Sequence, residues 1–155
     1  MKNQQKHLQL QDRVGFLISN TSWVIRSHML KHIHAQGVDV TPEQWIILNW
    51  LWNYQSAYQQ ELADAIQKTK ANVTRLIDGL VKRGFVVREL EIADRRKHRC
   101  VLTPAGTEMM GRLMPIVLAE YQEVIKDLSG DEIQALKSIL AKITHRVQQL
   151  SGDKS

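Results

Sequence analysis

Cysteine occurs once in this chain, at Cys100. A single thiol excludes an intramolecular disulfide framework and a multi-cysteine zinc site, and it suits a reducing compartment. Proline occurs only three times and glycine eight, which excludes collagen-like and glycine-rich low-complexity architectures. There is no glycine-rich phosphate loop, no nucleophile elbow and no paired acid–base constellation, so an enzyme is not expected. No uninterrupted apolar run approaches the ~20 residues that span a bilayer. The polar start, Met1-Lys2-Asn3-Gln4-Gln5-Lys6-His7, has no apolar signal core behind it. The expectation is a soluble cytoplasmic protein that avoids membranes.

What is present fits one globular domain over residues 1–155. Hydrophobic residues make up 43% and charged residues 24%, near the ordinary globular mix, and the length suffices for an independent core. The formal net charge is +5, and its distribution is uneven. Residues 68–99 hold ten Lys/Arg against four Asp/Glu, so the whole positive excess lies in this middle segment. Such a cluster suits an acidic partner, a polyanion above all. The lesser alternative is a solvated face, and the secondary structure has to separate the two.

The apolar periodicity predicts a helix over 8–34, from Leu10, Val14, Leu17, Ile18, Val24, Ile25 and Met29. Thr41-Pro42-Glu43-Gln44 opens a second helix with a capping-box spacing and an early proline. That helix runs to about Asn53. Gln59–Ile66 reads as a short third helix, and Gln67-Lys68 as a tight turn. Thr69 then caps a fourth helix whose Val73, Leu76, Ile77, Leu80 and Val81 should face the core. Its other face shows Lys70, Asn72, Arg75 and Lys82, and Gly84 ends it. Phe85–Leu90 and His98–Leu102 read as a two-stranded hairpin whose basic tip contains Asp94, Arg95, Arg96 and Lys97. Thr103-Pro104 starts a fifth helix that runs to about Leu128, with Pro115 expected to bend it. In the last helix, Ile133, Leu136, Leu140, Ile143, Val147 and Leu150 are spaced 3-4-3-4-3, a seam suited to a partner helix or to packing within a monomer.

Short helix, tight turn, amphipathic helix and basic hairpin together describe a mainly α winged helix-turn-helix, with about six helices and a two-stranded β wing. An α-helix fits the DNA major groove, and the preceding helix braces it across the backbone. Arg75 suits guanine and Asn72 suits adenine through paired hydrogen bonds. Thr69, Lys70 and Thr74 lie near the helix start, where N–H groups also attract phosphate. Arg95, Arg96 and Lys97 on a thin hairpin can enter a minor groove, with Asp94 pairing to fix the wing. A winged helix that binds protein is the alternative class, and the polar Asn72 and Arg75 favour DNA over it.

These residues resemble a known family. Asp94-Arg95-Arg96 followed by Leu102-Thr103-Pro104-Ala105-Gly106 is similar to the wing signature of the multiple antibiotic resistance regulator (MarR) family. Residues 72–84 resemble its recognition helix, and Thr41-Pro42-Glu43-Gln44-Trp45 resembles the start of its second helix. The resemblance implies a homodimer, with dimerisation helices at 8–34 and 104–150 around a winged-helix core at 41–103. It implies binding to a pseudo-palindromic operator, usually as a repressor. It also implies release by a small phenolic or anionic effector bound between the dimerisation and DNA-binding parts. Arg96 becomes the minor-groove arginine and Asp94 its positioning partner. Gly79 departs from the family pattern, where a polar residue is common, and costs the helix up to ~1 kcal/mol relative to Ala.

Several residues carry competing readings. Cys100 reads as an ordinary small strand residue. The alternative is a redox-responsive thiol whose pKa His98, Arg99 and Arg96 would lower. His28 and His32 have a metal-capable i, i+4 spacing but no completing ligand within their helix, so no metal and no cofactor are expected. Trp23, Trp45, Trp50 and Trp52 read mainly as core. Trp23 and Trp45, with His28, are also the candidates for an aromatic effector pocket.

Overall fold

The architecture comes from a computed structural model, which describes residue 10 and residues 13–90 and 98–152. These form two compact units, one of the described residues up to Leu118 and one from Ala119 onward.

In the first unit, helix α1 spans Val14–Ala35, inside the expected range at its start and one residue beyond it at its end. Only Ile33 of this helix is buried, and Leu17, Ile18 and Val24 stand exposed. Trp23 is 67% exposed, which corrects the expectation that it belongs to the core. The rings of His28 and His32 lie 4.6 Å apart on the same helix. Gly37 turns the chain with φ +76, a conformation glycine adopts without penalty.

Helix α2, Pro42–Tyr54, starts as the capping-box spacing predicts. Thr41 Oγ1 accepts from the Gln44 N–H at 3.2 Å, and Gln44 Oε1 accepts from the Thr41 N–H at 3.2 Å. Ile47, Leu48 and Leu51 point inward. Gln55, with φ 67 and ψ −39, turns the chain sharply into strand β1, Ser56–Tyr58. Helices α3, Gln59–Ile66, and α4, Lys70–Lys82, follow with the expected turn between them. Strands β2, Val86–Leu90, and β3, His98–Leu102, pair antiparallel as the hairpin reading requires.

The sheet differs from the expectation by one strand. β1 pairs antiparallel with the far edge of β3, giving the order β1-β3-β2. Three residues are too few to show a period-2 alternation, so only the partner strand reveals Ser56–Tyr58 as a strand. Their closure puts Ala57 opposite Cys100, and both are buried.

One hydrophobic core joins these elements through Leu48 and Leu51 of α2, Leu62 of α3, Val73, Ile77 and Leu80 of α4, Val86 of β2 and Cys100 of β3. Met109, Met110 and Leu113 close it from helix α5, Pro104–Ile125. Trp45, Trp50 and Trp52 pack half-buried against it, as does Leu76. Val81 is 37% exposed and leaves the core face expected for it. The start of α5 is held tightly. Thr103 Oγ1 accepts from the Gly106 N–H at 3.0 Å and donates to the Gly84 carbonyl at 2.5 Å, while the Thr103 N–H bonds the Phe85 carbonyl at 3.0 Å. A Cβ at position 106 would sit 2.1 Å from that Phe85 oxygen. Only glycine fits there.

In the second unit, α5 runs out at Ile125, three residues before the expected Leu128. Helix α6, Gly130–Ser151, is capped by Ser129, whose N–H and hydroxyl reach Glu132 at 2.7 and 2.9 Å. Those bonds hold the Glu132 carboxyl below the usual carboxylate range, the backbone N–H contributing most. No residue of α6 is buried. Leu136, Ile139, Leu140, Val147 and Leu150 are all exposed.

Gly106→Ala is expected to destabilise the fold by about 1–3 kcal/mol, since the intruding methyl meets backbone that cannot turn aside. Gly111→Ala is the control, because its Cβ would meet nothing closer than the Trp52 ring at 3.9 Å. Denaturant midpoints of the two variants should separate accordingly, and equal midpoints would refute the close-approach account.

Candidate nucleic-acid interface

Helix α4 carries the site. Its entry is set by Gln67, which adopts the left-handed conformation at φ 52 and ψ 47 and ends α3 in a tight turn. Thr69 then caps α4 by accepting from the Asn72 N–H at 3.3 Å. Val73, Ile77 and Leu80 are fully buried. Because 3.6 residues make a turn, that stripe turns Arg75 and Lys82 away from the core, with Asn72 to one side. Lys68 and Lys70 at the helix start, and Asn72, Arg75 and Lys82 further along, are exposed. Arg75 Nη2 donates to Asn72 Oδ1 at 3.1 Å, so the two expected base-reading groups already touch. A cleft of about 310 Å³ opens beside them, lined by Glu43, Gln44, Lys68, Asn72, Arg75 and Leu76.

Thr74 is used differently from the expectation. It is half-buried, its hydroxyl donates to the Lys70 carbonyl at 2.9 Å, and Thr74 Oγ1 itself accepts from Gln59 Nε2 at 2.9 Å. With its hydroxyl committed inside the protein, Thr74 ties α4 to α3 instead of facing phosphate. Asp94, Arg95, Arg96 and Lys97 lie outside the described residues.

Besides Arg75, three cations of this segment meet protein partners among the described residues. Arg83 Nη1 donates to the Asp39 carbonyl, and its Nη2 lies 3.8 Å from Asp39 Oδ2. Arg88 Nη2 lies 2.7 Å from Asp78 Oδ1. Arg99 Nε donates to the Tyr58 hydroxyl at 3.3 Å and sits 5.4 Å over that ring. The basic segment is therefore partly scaffold, and among the described residues Lys70, Arg75 and Lys82 stand exposed on α4.

Gln44 plays a part its capping spacing alone did not announce. It is buried at 6% exposure, and its Nε2 donates to the Leu76 carbonyl of α4 at 3.2 Å. A Cβ on Gly79 would stand 2.7 Å from that same nitrogen. The glycine that looked like a weakness of the helix is the opening through which α2 grips α4. The departure from the family pattern at 79 was the available signal.

Trp23, His28 and Trp45 line neither the cleft beside α4 nor a second one of about 220 Å³ bounded by Leu51, Trp52, Gln55, Leu102 and Thr107.

Cys100 is fully buried. Burial pushes its thiol pKa up, and the nearby Arg88 charge opposes this only in part. Neither His98 nor Arg99 supplies the expected lowering, Arg96 lies outside the described residues, and the upward shift disfavours the reactive thiolate. A folded pKa above the unfolded one means that the unfolded chain loses its proton first. The contribution to stability is thus complete below the ordinary thiol value and declines as pH climbs towards the folded one. Alkylation of the native chain by iodoacetamide at pH 8 should be about 1,000-fold slower than in denaturant, set by the unfolded fraction. Rapid native labelling would restore the redox reading.

Against known proteins, residues 40–98 match the sequence model of the MarR family. The transcriptional regulator MhqR of Bacillus subtilis (strain 168) is 26% identical over 137 residues, covering 88% of this chain and 93% of MhqR. The repressor CouR, solved bound to a 23-mer DNA duplex, is 26% identical with a TM-score of 0.74, covering 90% of this chain and 99% of CouR. NadR, solved with 4-hydroxyphenylacetate, shares the fold at 22% identity and a TM-score of 0.70, covering 92% of this chain and 97% of NadR. A helix-turn-helix with an exposed Asn72–Arg75 pair and a sheet at its flank thus accompanies similarity to the MarR family over residues 40–98 and to transcriptional regulators over most of the chain.

Proposed function

We propose that this chain is a sequence-specific regulator of transcription that binds double-stranded DNA and takes no enzymatic role. α4 lies in the major groove, with Arg75 turning its fork from Asn72 to a guanine edge and Asn72 reading an adjacent base. Lys68, Lys70 and Lys82 meet phosphates, and Thr69 anchors the helix start. Arg95, Arg96 and Lys97 form the wing contact in the minor groove, positioned through Asp94. The observation that carries this reading is the division of α4 into a fully buried stripe and an exposed polar pair that has no part in the core.

The regulator acts as a homodimer on a pseudo-palindromic operator. The uncovered apolar side chains of α6 and of α1 support this, since exposed apolar surface of that extent marks an association site. In this reading α1, α5 and α6 supply the dimer contacts, and residues 41–103 supply the DNA-binding core. Repression relieved by a small phenolic or anionic effector follows from the family, with Trp45, Trp23 and His28 as the proposed contacts. Among the described residues no helix is long and apolar enough to cross a membrane, and we place the protein in the cytoplasm, beside its DNA.

The direct test is selection from a randomised duplex pool followed by binding measurements on the enriched sequence. Arg75→Ala should cost about 1–3 kcal/mol on that sequence and relax the preference at one position. Arg96→Ala should weaken binding most where the flanks are A·T-rich. The logarithm of the binding constant should fall linearly with the logarithm of salt concentration, because neutralised phosphates release counterions. A binding constant indifferent to salt would defeat the groove-binding reading.

A further inference from the structure

The recognition helix is gripped on both flanks of its reading face. On one flank the Gln44 amide crosses Gly79 to reach the Leu76 carbonyl at 3.2 Å. On the other stand Thr74 and Asp78, one turn apart. Gln59 holds Thr74 from α3 at 2.9 Å. Arg88 reaches Asp78 Oδ1 from β2 at 2.7 Å and lies 3.5 Å from the Thr74 carbonyl. Arg88 pairs across the sheet with the buried Cys100, and directly opposed residues share a sheet face. Its side chain is only 26% exposed, whereas that of Asp78 is 55% exposed.

We propose that Asp78 and Arg88 are positioning residues that fix the roll of α4 about its own axis, and so decide which base edges Arg75 and Asn72 can reach. The proposal rests on the DNA-binding reading above. A helix held only by its apolar stripe can rotate by a few degrees at little cost, because dispersion contacts are weak singly and non-directional. A charge-assisted hydrogen bond from a strand is directional. Arg88 sits on β2, the strand that leads towards the wing, so the same bond sets the wing root against the reading helix. Its guanidinium is directed to the protein and is not counted among the phosphate contacts.

The test uses the full chain, a duplex enriched by that chain from a randomised pool, and a scrambled duplex of the same composition. Arg88→Gln and Asp78→Asn change the net charge in opposite directions. Both should lower the ratio of the two affinities about tenfold, with the salt slope unchanged. Arg88→Lys, which keeps the charge and the reach to Asp78, should recover most of the ratio. An equal loss on both duplexes in Arg88→Gln, with a slope smaller by about one, would make Arg88 a phosphate contact and overturn the proposal. An equal gain on both duplexes in Asp78→Asn would reduce Asp78 to a repulsive charge and overturn it too, as would an unchanged ratio in both variants. If Arg88→Gln fails to melt cooperatively, Asp78→Asn decides alone, since it replaces a half-exposed carboxylate by an isosteric acceptor. Failure of the unaltered chain to enrich any duplex would defeat the DNA reading itself, a result distinct from a variant that keeps its ratio.

Discussion

Helix α4 has to satisfy two solvents at once. Val73, Ile77 and Leu80 are fully buried, yet Asn72 and Arg75 on the same thirteen residues stand in water. Each buried aliphatic side chain contributes roughly 1.5–3 kcal/mol, and that burial needs walls on three sides. α2 supplies Leu48 and Leu51, α3 supplies Leu62 and Ala63, and the sheet supplies Val86 and Cys100. The rest of the DNA-binding unit can be understood as the enclosure of one apolar stripe, arranged so that the other side of its helix stays bare.

Polar groups refine what the apolar stripe leaves loose. Gln44, Thr74 and Thr103 each carry two or more hydrogen bonds across element boundaries or turns, and each joins a backbone carbonyl or N–H to a neighbouring segment. Such bonds add little net stability singly, about 0.5–1.5 kcal/mol, but a buried amide left unpaired costs more than a paired one gains. They therefore act on geometry. The cations divide along the same line. Arg83, Arg88 and Arg99 bind the protein, whereas the cations exposed along the reading helix face outward.

Much of this was legible in the residue order. Thr41 with Gln44, Thr69 and Gly84 are local signals, and each marks the helix end it predicted, because capping depends on a few neighbouring backbone groups. The buried face of α4 followed from its period, although Val81 slipped outward where the last turn clears the core. Contacts distant in sequence were not legible. Ser56–Tyr58 becomes a strand only through β3, more than forty residues later. Gln44 meets Leu76 across thirty-two positions, and Arg88 meets Asp78 across the end of α4 and the turn into β2. The charge count likewise included Arg83, Arg88 and Arg99 in the basic excess, because a count does not say where a side chain is aimed. Trp23 looked like core for the reason that any indole does, namely its large apolar area, and it stands exposed on α1.

The contact between Gly106 and the Phe85 carbonyl has a mechanical consequence. With no space for even a methyl group, and with Thr103 bonded to both Gly84 and Phe85, the first turn of α5 and the root of β2 form a joint without play. A tilt imposed on that turn of α5 is transmitted to β2 at full amplitude instead of being absorbed as a hinge. Compliance in this unit must then reside elsewhere, in segments such as the Gln36–Gly37 turn, where the glycine is free of close neighbours.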